Sequence, residues 1–209
     1  MPINLLSLSS EEKKRFKDSF DTIFADCDGV LHNHEGVINV ASKTVNELIK
    51  EGKTIRYVTN AGSRTKALIV ERLTKYGFVN VSEESVICPL GLLVDYLRNK
   101  LPQDKSVYVI GAQVVCEELQ RHKIQCFGPG EDEMDDELVE NISRAEIEMP
   151  ENVGAVVVGL DLHINYLKIM KAFRFLKNKD CLYVAMNPDE TFISSSGNLF
   201  PATGALSAA

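Results

Sequence analysis

No apolar run in this sequence approaches the roughly 20 residues that a membrane-spanning helix requires. The longer ones, such as "AVVVGL" at 155–160, have the length of a buried strand. The start, "MPINLLSLSSEEKKRF", lacks the layout of a signal peptide, so the expected location is cytoplasmic, with no membrane partner. Basic residues are in deficit, 23 against 30 acidic, for a net charge of -7. The long-range field therefore repels phosphate backbones and anionic lipid, and nucleic acid is excluded as an expected partner. Cysteine is sparse and scattered: Cys27, Cys88, Cys116, Cys126 and Cys181 form no CxxC pair. That pattern excludes a zinc site and a disulfide framework and fits buried reduced thiols. No internal repeat is present.

What the sequence has is a hydrophobic content of 44% over 209 residues, ample for a core, and a regular alternation of strands and helices. Helical patterns at 9–20, 41–52, 63–77 and 90–101 interleave with strands "TIFAD", "KTIRYVTN" and "SVIC". Glycines end two of these helices and serines open the first. Strand, helix, strand in succession predicts a doubly wound parallel sheet. Pro102 closes this unit. A second α/β unit follows: strand "SVYVIG", helix "AQVVCEELQRHK", strand "IQCFG", an acidic loop, strand "AVVVGL", helix "NYLKIMKAFRFLKN" and strand "CLYVAM". The acidic loop "EDEMDDE" at 131–137 reads as a solvated surface rather than a cation site.

The stretch "TIFADCDGVL" ends an apolar strand in Asp26 and Asp28, followed by Gly29. Ligands of open parallel sheets bind at the carboxyl ends of strands, and residues two apart in an extended segment point to the same side. Two carboxylates facing one pocket repel, so the pair calls for a cation such as Mg²⁺, which prefers hard oxygen ligands. A plain polar turn would also use Asp and Gly. The second strand ends in "TNAGSRT", where Thr59 and Asn60 are small polar groups and Ser63 is placed to cap the next helix, whose N-terminus attracts anions.

Together, "DCDGVL" and "VTNAGSRT" resemble the first two motifs of haloacid dehalogenase superfamily phosphatases. "YVIG", "AVVVGLDLHINYLKIMKAFRFL", "AMNPDETF" and "PATGAL" resemble its p-nitrophenylphosphatase branch, which includes phosphoglycolate and pyridoxal phosphate phosphatases. The resemblance implies a Rossmann-like core in its N-terminal part (1–102), an inserted α/β cap (103–200) and the start of the return to the core (201–209). It implies Asp26 as nucleophile, Asp28 as general acid and base, Mg²⁺ held by Asp26 and Asp28, and substrate binding by Thr59, Asn60 and Ala61. The substrate would be a small phosphorylated metabolite, and caps of two subunits would pair as a homodimer.

Ala61, Met186 and Ala202 stand where the family commonly carries Asn, Thr and Gly. The family's later lysine and later acidic metal ligands fall after "PATGAL", where this sequence ends, and no Lys-Pro dipeptide occurs. The 209 residues alone are therefore expected to be catalytically impaired, and a non-enzymatic binding or regulatory fragment is the alternative. A phosphate-accepting receiver also uses clustered aspartates, but the large second unit speaks against it. Asp161 in "VVVGLD" matches the family's cap strand rather than its late metal motif. His32 and His34 alternate like one face of a strand and, with no third ligand nearby, read as surface residues. Cys27, between two carboxylates, is expected to be a poor nucleophile.

Overall fold

Ser9 opens the first helix through a reciprocal pair of hydrogen bonds with Glu12. Its hydroxyl accepts from the Glu12 N–H, while the Glu12 carboxylate accepts from the Ser9 N–H at 2.9 Å. This reciprocal cap starts α1 (Ser10–Asp18). The computed structural model describes residues 4–134, 140, 147, 149–194 and 196–208. These group into two compact units, one running through Thr59 and resuming over Ile69–Ile87, the other comprising Asn60–Leu68 and the described residues from Cys88 onward.

In the first unit, β1 (Thr22–Asp26) is followed by a short hairpin, β2 (His32–Asn33) and β3 (Gly36–Val37), and by α2 (Ala41–Lys50). Then come β4 (Thr54–Val58), α3 (Lys66–Lys75), whose first residues belong to the other unit, and β5 (Val86–Ile87). The three long-range strands form a parallel sheet in the order β1-β4-β5, with Asp26 in register with Val58. Among the described residues β1 is an edge, and Phe24 on it is 67% exposed. On β4 Tyr57 is buried edge-on to Phe78, its hydroxyl without a hydrogen-bond partner among the described residues, and burial pushes its pKa up to about 12.

The second unit holds α4 (Pro89–Lys100), β6 (Ser106–Ile110), α5 (Gln113–Arg121), β7 (Cys126–Phe127), β8 (Val153–Val158), α6 (Tyr166–Leu176) and β9 (Leu182–Ala185). A hairpin of β10 (Thr191–Ile193) and β11 (Leu199–Pro201) and a last helix, α7 (Thr203–Ser207), complete it. Its four-stranded sheet is all parallel, in the order β7-β6-β8-β9. Every residue of β8 is buried, which is why that strand reads as an unbroken apolar run instead of an alternation. Tyr108, Val156, Val158 and Phe175 form its apolar centre, with the Tyr108 and Phe175 rings 5.2 Å apart.

A fully buried ion pair is set inside this unit. Lys168 on α6 is fully buried, and its Nζ lies 2.6 Å from Oδ2 of Asp161, which is itself 4% exposed. The same ammonium donates to the Gly130 carbonyl, and Asn165, which caps α6, donates to the Asp132 carbonyl at 2.6 Å. Asp161 thus serves as an internal counter-ion. Removing one partner of such a pair strands a charge in the interior. Lys168→Met is expected to destabilise the protein by about 3 to 5 kcal/mol in urea unfolding, with much of the loss restored when Asp161→Leu is added. A Lys168→Met protein that melts like the parent contradicts this.

Candidate functional site

The level ends of three parallel strands position the site. The Cys27 N–H donates to the Val58 carbonyl at 2.9 Å, and the Thr59 N–H donates to the Ile87 carbonyl at 3.1 Å, so each ladder continues one residue past its strand. Asp26 ends β1 and Thr59 follows β4 at the same carboxyl edge of the sheet.

After Cys27 the chain closes on itself. The Leu31 and His32 N–H groups both donate to the Cys27 carbonyl, at 3.0 and 3.1 Å, and the Gly29 N–H donates to the His32 carbonyl at 2.7 Å. Gly29 has φ +84°, and a Cβ there would meet nothing within 4 Å. Its requirement is torsional and not one of space. Cys27 is buried at 1% exposure while Asp26 and Asp28 are exposed, the alternation expected of residues one apart.

The turn brings Asp28 to Thr59. The Thr59 hydroxyl donates to Asp28 Oδ2 at 2.9 Å, and the other carboxylate oxygen, Oδ1, lies 3.7 Å from His32 Nδ1. Thr59 is 4% exposed, whereas the Asp28 side chain is half open to solvent. A carboxylate braced by a buried hydroxyl, with half of its side chain in solvent, can exchange protons with a bound molecule or with water.

Two sequence expectations are corrected here. His32 is not a surface residue: it is buried, its ring tilted against Tyr76 at 5.5 Å between centroids. His34 is exposed. Nor does Ser63 cap the next helix, because α3 begins later, at Lys66, and the Thr65 hydroxyl accepts from the Leu68 N–H at 3.3 Å. His32 is the side chain near the aspartates whose burial the sequence pattern does not show. Its signal was faint, since the aromatic that buries it comes 44 positions later.

Asn60 and Ala61 follow Thr59 in the chain but group with the second unit. There the Asn60 carbonyl accepts from Asn187 Nδ2 at 3.0 Å. Among the described residues no cluster of three or more His, Cys, Asp or Glu forms that could hold a metal ion. Of the acidic loop, Glu131 lies 3.6 Å from His163 and Asp132 pairs with Lys171 at 2.7 Å, while Asp135, Asp136 and Glu137 lie outside the described residues. No helix among those described is long and apolar enough to cross a membrane.

Residues 23–125 match the profile of the haloacid dehalogenase-like hydrolases. The chain is 33% identical over 204 residues to phosphoglycolate phosphatase 2 of Arabidopsis thaliana, covering 97% of this chain and 67% of that protein. It is 33% identical over 200 residues to the glycerol-3-phosphate phosphatase of Gallus gallus, covering 95% of this chain and 64% of that protein. The chain thus spans about two thirds of the length of these relatives. In fold it matches a glycerol phosphate phosphatase from Mycobacterium tuberculosis crystallised with magnesium, at a TM-score of 0.67 and 19% identity, over 91% of this chain and 51% of that one. That likeness bears out a Rossmann-like parallel α/β core with a cap.

Proposed function

Because the chain belongs to the haloacid dehalogenase-like hydrolases, we propose that it supplies the nucleophile side of a Mg²⁺-dependent phosphatase acting on small phosphomonoesters of the phosphoglycolate, pyridoxal phosphate or p-nitrophenyl phosphate type. The observation that carries this reading is the 2.9 Å hydrogen bond from Thr59 to Asp28 at the carboxyl edge of the sheet, two residues past an exposed Asp26. Relatives named as phosphatases support it.

In this mechanism the Asp26 carboxylate attacks phosphorus, an Asp26 acyl phosphate forms, and the bond to the leaving oxygen breaks. Asp28 gives its proton to that oxygen as it departs. A water then enters, Asp28 takes its proton, and the resulting hydroxide attacks the acyl phosphate, releasing inorganic phosphate and restoring Asp26. Thr59 holds Asp28 in place during both transfers. With the Thr59 hydroxyl given to Asp28 and its N–H to the Ile87 carbonyl, hydrogen bonds from Asn60 and the Ala61 segment meet the phosphoryl oxygens as charge spreads over them.

The donor set suits Mg²⁺: the exposed Asp26 carboxylate and a backbone carbonyl two residues on offer hard oxygens, and this ion commonly takes one or two carboxylates, keeping water and phosphate oxygens for its other positions. The Asp26 carboxylate and Asp28, through its backbone carbonyl, would hold it. When bound, it neutralises charge between the Asp26 carboxylate and an anionic phosphoryl group.

The test is turnover of p-nitrophenyl phosphate by the full-length protein with Mg²⁺ and with the metal stripped by EDTA. The expected outcome is turnover that falls at least about tenfold in EDTA and returns when Mg²⁺ is restored. Turnover indifferent to the metal contradicts the proposal.

A further inference from the structure

We propose that Asn187 is a positioning residue for the phosphate-holding loop, gripping it from a segment more than a hundred residues away in the chain. The proposal rests on the phosphatase reading above, in which Asn60 and Ala61 face the phosphoryl group.

The grip is a hydrogen bond from Asn187 Nδ2 to the Asn60 carbonyl at 3.0 Å. It belongs to a wider contact. A Cβ built on Gly62 would lie 3.5 Å from Met186 Cε and 3.8 Å from Asn187 Nδ2, so the loop rests against the segment that ends β9. Residues 60–68 group with this second unit, although Asn60 directly follows Thr59 and the first unit's sheet. The loop after β4 is thus held by residues that none of the three strands of the β1-β4-β5 sheet supplies.

Asn187 is itself fixed. Its Oδ1 accepts from the Asp189 N–H at 3.1 Å, so both ends of the amide are assigned, acceptor to 189 and donor to 60. The Met186 N–H donates to the Val158 carbonyl at 2.9 Å, tying the segment to buried β8. On its far side the Gly204 N–H donates to the Asp189 carbonyl at 2.7 Å and the Ala202 N–H to the Glu190 carbonyl at 2.8 Å. A rigid segment therefore presents one donor to one loop carbonyl. Fixing that carbonyl orients the peptide groups on either side of it, and groups that meet a phosphoryl oxygen act best when they need no reorganisation.

Two substitutions separate this role from simple packing. Asn187→Asp keeps the acceptor for the Asp189 N–H and turns the donor into an oxygen facing the Asn60 carbonyl, whereas Asn187→Ala removes both contacts. The full-length protein would be assayed with p-nitrophenyl phosphate, with inorganic phosphate as competitive inhibitor, alongside thermal melting. For Asn187→Asp the expected result is KM and the phosphate inhibition constant rising together by about tenfold, kcat changing less than about threefold, and an unaltered melting temperature. Should Asn187→Ala melt lower than the parent, the Asp variant carries the comparison. Parental KM and phosphate inhibition in the Asp variant overturn the assignment of Asn187 while leaving the phosphatase reading in place. Parental protein whose turnover does not depend on Asp26 overturns that reading, and this assignment with it.

Discussion

Asp26→Asn is expected to lower turnover of p-nitrophenyl phosphate by about 10⁴-fold or more, because an amide cannot form the acyl phosphate and the reaction loses its covalent step. The substitution is nearly isosteric. Asp26 pairs with Val58 through the backbone and its side chain is exposed, so the sheet ladder and the melting temperature should be retained. The comparison is of purified parent and variant, with mock purifications bounding contaminating phosphatase. A variant that keeps more than a few per cent of activity sinks the assignment of the nucleophile.

Asp28→Asn is expected to cost about 10²- to 10⁴-fold, the range for a positioned general acid or base. Asparagine still offers a carbonyl oxygen to the Thr59 hydroxyl, which donates to Asp28 at 2.9 Å in the parent, so geometry is kept and proton exchange is lost. The leaving group gives the prediction its second edge. p-Nitrophenolate departs without much help, whereas an alkyl alkoxide needs a proton, so the variant should lose more on an alkyl phosphate than on p-nitrophenyl phosphate. Equal losses on both would remove Asp28 from the role of acid and leave it a role in holding the site together.

The alternation of elements was legible because local patterning and burial agree along most of the chain. "TIFAD" forms β1, and the apolar stretch containing "AVVVGL" forms β8, whose burial on both faces removes any alternation. The aspartates and Thr59 were legible because they close apolar strands, and a parallel sheet brings such ends to one edge. Other features depended on residues distant in sequence. His32 carries no burial signal of its own until Tyr76 packs on it. The choice between Ser63 and Thr65 as cap turned on where α3 begins, a boundary that both hydroxyls could have served. The hairpin of β10 and β11 lies in a stretch with weak alternation, and its strands are exposed throughout. The Asn187 contact spans 127 positions and involves a backbone carbonyl, which no side-chain pattern announces. The helix Pro89–Lys100, expected to close the first unit at Pro102, groups with the second.

The most direct test of the account is chemical capture of the acyl phosphate. Full-length protein turning over p-nitrophenyl phosphate with Mg²⁺ would be quenched in acid, reduced with borohydride and digested, and the peptide spanning residue 26 read by mass spectrometry. An acyl phosphate on Asp26 is reduced to homoserine at that position, so the account predicts homoserine at residue 26 in the substrate-treated sample alone, and none in Asp26→Asn. Steady turnover with Asp26 unconverted, or conversion at another carboxylate, would contradict it.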